Sequence, residues 1–296
     1  MKQTVFKGSA CALVTPFDES RKIDYKTLKK LIDFQIDNST DAIVICGTTG
    51  ESPVLTTREH KQIIKSTVRY VNGRVPVIAG TGANNTDEAI KKSQAAEALG
   101  ADALLIVTPY YNKASQSGLI EHYQSISRSV NLPIIVYNVP SRTGLDIKPE
   151  TYRELCKIDN IVATKEANGN ISALAQTIAL CKNELDIYCG NDDQTAPFTA
   201  MGAKGCISVL ANILPQEAHD IAITGIDGDT DLSAHLQYKY LDICNSLFCD
   251  VNPIPVKYAM SLLGLCNDYY RLPLTKLSEK NQQKIIKVLK RHNLIE

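Results

Sequence analysis

The chain has 296 residues, enough for one large α/β domain, or a domain with a small appendage, around a sizeable core. Its 32 Lys and Arg balance 32 Asp and Glu, giving a formal net charge of zero. That balance offers no general electrostatic attraction to nucleic acid or an anionic membrane surface, so neither is an expected partner.

Ala10-Cys-Ala-Leu-Val-Thr15 is the first of eight short apolar, β-rich runs. The others are Ala42-Ile-Val-Ile-Cys46, Val75-Pro-Val-Ile-Ala79, Ala103-Leu-Leu-Ile-Val107, Pro133-Ile-Ile-Val-Tyr137, Ile161-Val-Ala-Thr164, Asp186-Ile-Tyr-Cys189 and Cys206-Ile-Ser-Val-Leu210. From the run at 42 onward the starts lie 33, 28, 30, 28, 25 and 20 residues apart. A strand, a helix and two loops need about that much chain, so the spacing predicts repeated β/α units and a parallel sheet. Between runs the period becomes helical, as in Tyr25 to Ile36, where Leu28, Leu31, Ile32 and Ile36 form one apolar stripe. A second helix is expected to start at Thr86, with that threonine as its cap, and to stop at Gly100.

Eight strands with intervening helices favour a closed (β/α)8 TIM barrel over residues 1–228. An open doubly wound sheet is the alternative, but no G-x-G-x-x-G follows the first strand, so a dinucleotide site has no support. Residues 229–296 read as a C-terminal helical appendage, clearest in Leu232 to Phe248, Pro255 to Leu265 and Ser278 to His292. Asn252-Pro-Ile-Pro255 marks a break before the second of these helices.

The nine Cys are odd in number, scattered and mostly in apolar segments, with no C-x-x-C pair, which predicts reduced, buried thiols in a cytoplasm. The five His form no H-x-x-x-H or Cys/His cluster, and no metal site is expected. The start, Met1-Lys-Gln-Thr-Val-Phe-Lys7, lacks a long apolar core, and no segment approaches the roughly 20 apolar residues that cross a bilayer.

In a barrel of this kind, catalytic groups come from the carboxyl ends of the strands. Lys165, at the end of the apolar run Ile161-Val-Ala-Thr-Lys-Glu-Ala167, is a candidate imine-forming amine. A free lysine titrates at about 10.4, leaving roughly one amine in a thousand unprotonated at neutral pH. Desolvation penalises the ammonium and can bring that value down to about 7–8. The competing reading is a stem that covers the strand and a head in water.

Strand two ends in Gly47-Thr-Thr-Gly-Glu-Ser52, where glycines let the hydroxyls and amides around Thr48 and Thr49 converge on a carboxylate or phosphate. A simple capped turn would look the same. Strand four ends in Thr108-Pro-Tyr-Tyr-Asn112, whose Tyr110 and Tyr111 suit an aromatic patch at a subunit interface without excluding proton relay. Strand five ends in Tyr137-Asn-Val-Pro-Ser-Arg-Thr-Gly144. Barrel order makes Tyr137 a neighbour of Lys165, so its phenol is placed to pass protons. Arg142 can hold a carboxylate through two parallel hydrogen bonds, with a surface salt bridge as the alternative. Strand seven ends in Gly190-Asn191, and Glu51 and Glu166 are expected to orient loops rather than act as acids.

Together, Gly47-Thr-Thr-Gly-Glu-Ser52, Tyr110-Tyr-Asn112, Tyr137 to Gly144 and Lys165-Glu-Ala167 closely resemble the 4-hydroxy-tetrahydrodipicolinate synthases (dihydrodipicolinate synthases). These belong to the pyruvate-dependent class I aldolases, as does N-acetylneuraminate lyase. The resemblance spans the chain, helical tail included. The threonine loop and the lysine are shared across the superfamily, whereas the arginine of the strand-five run is characteristic of the synthases. The resemblance implies that Lys165 forms a Schiff base with pyruvate, whose enamine attacks L-aspartate 4-semialdehyde before the product cyclises. It further implies a proton relay of Thr48, Tyr137 and Tyr111, pyruvate carboxylate binding at Thr49, and semialdehyde carboxylate binding at Arg142. Gly190 and Ile207 match positions whose backbone carbonyls lie at the family's site. No cofactor is implied, because a protonated imine is itself the electron sink. The implied assembly is a homotetramer, a dimer of dimers, in which Tyr111 reaches a neighbouring subunit's site.

Asn84, Glu88, Tyr110 and His60 match the regulatory site of lysine-inhibited members, with His60 otherwise reading as a helix-surface residue. Thr57 stands where sensitive members carry histidine and Pro53 replaces alanine, which argues against feedback by lysine. N-acetylneuraminate lyase or another pyruvate aldolase is the alternative activity, and Arg142 with the paired tyrosines decides against it. A non-catalytic sensor on the same barrel is the third reading, opposed by the retained lysine and relay.

Overall fold

The computed structural model describes residues 2–296. Its β/α alternation begins with β1 (Gly8–Ala12), α1 (Tyr25–Asp37), β2 (Ala42–Ile45), α2 (Thr57–Val71), β3 (Val77–Gly80), α3 (Thr86–Ala98), β4 (Ala103–Val107) and α4 (Gln116–Ser127). It continues through β5 (Ile134–Asn138), α5 (Pro140–Thr143), α6 (Pro149–Leu155), β6 (Ile161–Glu166), α7 (Ile171–Cys181), β7 (Asp186–Cys189), α8 (Thr195–Ala200), β8 (Gly205–Ser208) and α9 (Pro215–Ile226). Then come α10 (Thr230–Ser246), α11 (Ile254–Leu262) and α12 (Glu279–Arg291). The eight parallel strands close in sequence order, β8 returning to β1 through the register Gly8↔Gly205 to Cys11↔Ser208. The closed barrel expected from the spacing is therefore present, and the open sheet is not.

Alternation along the strands sorts their side chains into two cores. One set, including Ala10, Val44, Leu105, Ile135, Ala163 and Ile207, fills the barrel. The other, including Ile43, Ile45, Leu104, Val136 and Ile161, packs under the helices. Phe6 stacks on Tyr188 with ring centroids 4.2 Å apart, and the Tyr188 hydroxyl donates to the Phe6 carbonyl at 2.7 Å, closing the amino end of the barrel. The other end is left open for chemistry.

Local boundaries differ from expectation where backbone hydrogen bonding decides them. The third strand begins at Val77 rather than Val75, because Pro76 has no N–H to give to a ladder. β6 runs on to Glu166, so Lys165 stands within the strand rather than beyond it. The cap of α3 is Asn85, not Thr86: the Asn85 side chain accepts from the amides of Asp87 and Glu88, while the Thr86 hydroxyl pairs with His122 Nδ1 at 3.0 Å. Gly100 takes φ +85° just past that helix, the left-handed conformation a helix stop favours.

Candidate active site

A cavity of about 370 Å³ opens at the carboxyl end of the strands, and Thr48, Thr49, Tyr137, Arg142, Lys165 and Gly190 all line it. Strand periodicity puts Lys165 there. Ala163 and Lys165 face the barrel interior, while Thr164 and Glu166 face the helices; Lys165 is only 5% exposed. Tyr137 is its Cα partner across the β5–β6 ladder, and Lys165 Nζ lies 4.4 Å from the centroid of the Tyr137 ring. Gly190 leaves the room this lysine needs. A Cβ there would sit 2.8 Å from the Cβ of Ala167 and 3.1 Å from Cε of Lys165.

The Thr48–Thr49 turn is held from below. Glu51 takes a left-handed φ of +55°, and its amide donates to the Thr48 carbonyl at 3.0 Å. The Glu51 carboxylate is buried and accepts from Lys257 Nζ at 2.7 Å and from the Arg271 amide at 3.3 Å. Lys257 is itself fully buried and also donates to the carbonyls of Thr15 and Tyr269. Burial pulls its pKa down, with the Glu51 charge opposing.

Arg142 lies in the short α5 turn set by Pro140, and its Nη2 donates to the backbone carbonyl of Asn252 at 3.2 Å. Asn252 in turn donates from Nδ2 to the Thr49 hydroxyl at 3.0 Å. The connection between α10 and α11 thus joins both candidate anion-holding residues.

Glu166, on the opposite face of β6 from Lys165, accepts from Asn138 Nδ2, the Tyr152 hydroxyl at 2.8 Å and the Asn168 amide at 2.9 Å. Burial outweighs these donors and pushes its carboxyl up to about 7. Asp192 accepts from the amides of Val209 and Leu210 at 2.9 Å each, pinning the chain that leaves β8. Its pKa is raised by burial, against hydrogen bonds and the charge of Lys165.

Two sequence candidates do not line the cavity of this chain. Tyr111 is 90% exposed with φ +71°, and Ile207 is buried inside the barrel on β8. Nor do the four residues matched to a regulatory site line this cavity. Tyr110 lines a neighbouring space of about 240 Å³ with Pro53 and Lys92, whereas Asn84 and Glu88 do not line it. His60 is not a helix-surface residue as expected: it is buried, with Nε2 2.8 Å from the Gly80 carbonyl, and burial lowers its pKa.

Asn252 and Lys257 were missed by sequence reasoning. Lys257 carries the signal that singled out Lys165, a lysine inside the apolar run Pro255-Val-Lys-Tyr-Ala-Met260. In the sequence, Asn252 marks only a helix break.

A sequence model of the dihydrodipicolinate synthetase family matches residues 5–292. The chain belongs to this family. Its synthase relatives include the 4-hydroxy-tetrahydrodipicolinate synthase of Clostridium novyi, 49% identical over 290 residues that cover 98% of each chain. That of Caldicellulosiruptor bescii is 51% identical over 286 residues, 97% of each. Among family structures, the chloride-inhibited dihydrodipicolinate synthase of Acinetobacter baumannii complexed with pyruvate superposes with a TM-score of 0.97 at 43% identity, covering 99% of this chain and all of that one. No helix among the described residues is long and apolar enough to cross a membrane.

Proposed function

We propose that this protein is a lyase of the class I aldolase type that condenses pyruvate with L-aspartate 4-semialdehyde to give 4-hydroxy-tetrahydrodipicolinate, the first committed step toward lysine and diaminopimelate. One observation carries the reading: a buried lysine within a barrel strand opens on a cavity that also holds a threonine pair and an arginine. The primary amine supplies the nucleophile for a ketone, and the resulting iminium stabilises the carbanion needed for carbon–carbon bond formation. Two carboxylate-bearing substrates need two anion holders, and the threonine turn and Arg142 are separate elements suited to those tasks.

In this reading Thr49 holds the pyruvate carboxylate and Arg142 that of the semialdehyde. Thr48 and Tyr137, with Tyr111 supplied by a neighbouring subunit, move the protons of imine formation and cyclisation. Gly190 and Ile207 contribute backbone at the rim and floor. The assembly is a homotetramer of two dimers acting in the cytoplasm, and the exposure of Tyr111 supports an interface at that residue. Asn84, Glu88, Tyr110 and His60 are the candidates for a lysine-responsive site, and Thr57 and Pro53 argue against that response.

The test is incubation with pyruvate and borohydride followed by mass mapping. A reduced pyruvate adduct is expected on Lys165, and an adduct elsewhere would sink the mechanism. Product formation from the semialdehyde, with no cleavage of N-acetylneuraminate, is the expected substrate choice. Arg142→Ala should lose use of the semialdehyde while keeping the adduct; equal loss of both would refute the division of roles.

A further inference from the structure

Tyr137 and Lys165 are a register pair on β5 and β6, and the next pair in the same ladder is Asn138 with Glu166. Side chains alternate across a sheet, so the first pair faces the barrel interior and the second faces the helices behind it. Asn138 is fully buried. Its Nδ2 donates to the Glu166 carboxylate at 3.0 and 3.1 Å and to Asp146 Oδ1 at 2.8 Å. Its Oδ1 accepts from the Ile147 amide at 3.2 Å. That backbone amide can only donate, whereas the carboxylate oxygens accept, so the neighbours fix which end of the side chain is which.

The two ends of Asn138 tie down different parts of the site. Through Glu166 the side chain bridges the strands one residue beyond Tyr137 and Lys165, and the Ala167 amide adds a bond to the Asn138 carbonyl at 2.9 Å. Glu166 also accepts from the Tyr152 hydroxyl at 2.8 Å and the Asn168 amide at 2.9 Å, which anchors the bridge to α6 and to the loop after β6. Through Asp146 and Ile147, Asn138 closes the neck of the loop that leaves β5, turns through α5 and carries Arg142. Burying so many polar groups costs desolvation, and apolar side chains would hold two strands together as well. What the polar bridge adds is a fixed geometry.

We propose that Asn138 is a positioning residue for imine formation: its side chain sets the spacing of the β5 and β6 ends that places the Tyr137 ring over the Lys165 amine, and closes the loop that brings Arg142 to the cavity. Asn138 does not line the cavity and acts only through these neighbours. The inference rests on the proposed function, in which Tyr137 passes protons at Lys165. A misplacement of about 1 Å between reacting groups can slow a reaction about a hundredfold, so loss of the bridge is felt in the chemical step. Pyruvate binding is spared, because its carboxylate is assigned to the separate threonine turn.

The experiment follows imine formation on Lys165 by rapid mixing with saturating pyruvate and borohydride quenching, counted per site that eventually forms the adduct. Asn138→Ala should slow the reaction per competent site by about a hundredfold. The KM for pyruvate should stay within about threefold, the pattern of a lost effect on chemistry rather than on binding. A merely destabilised protein would hold fewer competent sites reacting at the normal rate, and that result would overturn the proposal. Asn138→Ser keeps a polar group for the Ile147 amide but is too short to bridge to Glu166. It should be slowed in the same way, and it decides the matter if the alanine protein does not fold. In a Tyr137→Phe background, Asn138→Ala should slow the imine by less than about threefold more, because the proton-transfer group it positions is already gone. A full additional loss in that background would also overturn the proposal. An unmodified protein that formed no adduct on Lys165 would bring down the functional reading and this inference with it, whereas a normal unmodified protein beside unslowed variants would sink the inference alone.

Discussion

Lys165 and Tyr137 are register partners on adjacent strands, and the lysine nitrogen lies over the tyrosine ring, 4.4 Å from its centroid. The ring covers the amine and the hydroxyl carries the exchangeable proton, so the two parts of the side chain have separable roles. Tyr137→Phe keeps the ring and removes the proton-transfer group. Imine formation, followed by rapid mixing with pyruvate and borohydride quenching, is expected to slow by about 10²–10⁴-fold, the usual worth of a positioned acid or base. Thermal stability should change little. An unchanged imine rate would remove Tyr137 from the relay.

The Glu51–Lys257 pair is buried on both sides at 2.7 Å, beneath the threonine turn. Taking away one partner leaves the other charge uncompensated, which costs about 3–5 kcal/mol. Lys257→Met should therefore lower the free energy of unfolding in urea by about that amount. Adding Glu51→Gln should recover part of the loss, since the double variant buries no net charge, and an additive double-variant result would show that the two residues do not act as a pair.

These two relationships differ in how far the sequence revealed them. Lys165 and Tyr137 were legible because a regular β/α spacing fixes strand order, and strand order alone makes the ends of β5 and β6 neighbours. The second pair spans 206 residues and the Asn252–Thr49 bond spans 203, between the second strand's loop and the C-terminal helices. No local period links such segments, and nothing in the sequence orients the helices after β8 relative to the barrel mouth. Tyr111 lies on the loop after β4, as the strand spacing predicts, but it points away from the chain's own cavity and is exposed, a side-chain placement that strand order does not encode.

Glu166 gives the stability a pH dependence whose sign can be worked out. Its carboxyl is raised from 4.5 to about 7 in the folded protein, so between those values the folded state holds more protons than the unfolded one. Stability contributed by this group therefore falls as pH rises from about 4.5 to about 7, by roughly 3 kcal/mol in total. Glu166→Gln should flatten that slope in urea titrations across the same range. Below about pH 4.5 the variant should be the less stable protein, because its amide N–H groups meet donors from Asn138, Tyr152 and Asn168, and the difference should shrink as pH rises. A slope as steep as that of the unmodified protein would assign the pH dependence to other groups.

Tyr111 is held in a left-handed backbone conformation with nine-tenths of its surface in water, an arrangement that makes little sense for a large aromatic in an isolated chain. If it completes a neighbour's site, as proposed, the two defects Lys165→Ala and Tyr111→Phe should complement one another. In a mixed dimer, the subunit that keeps Lys165 receives Tyr111 from the lysine-less partner, while the other site lacks both. Co-refolding equal amounts of the two weakly active variants should then restore roughly a quarter of normal activity, since half of the dimers are mixed and half of their sites are whole. Activity equal to the average of the two separate variants would mean that Tyr111 serves only its own chain or none.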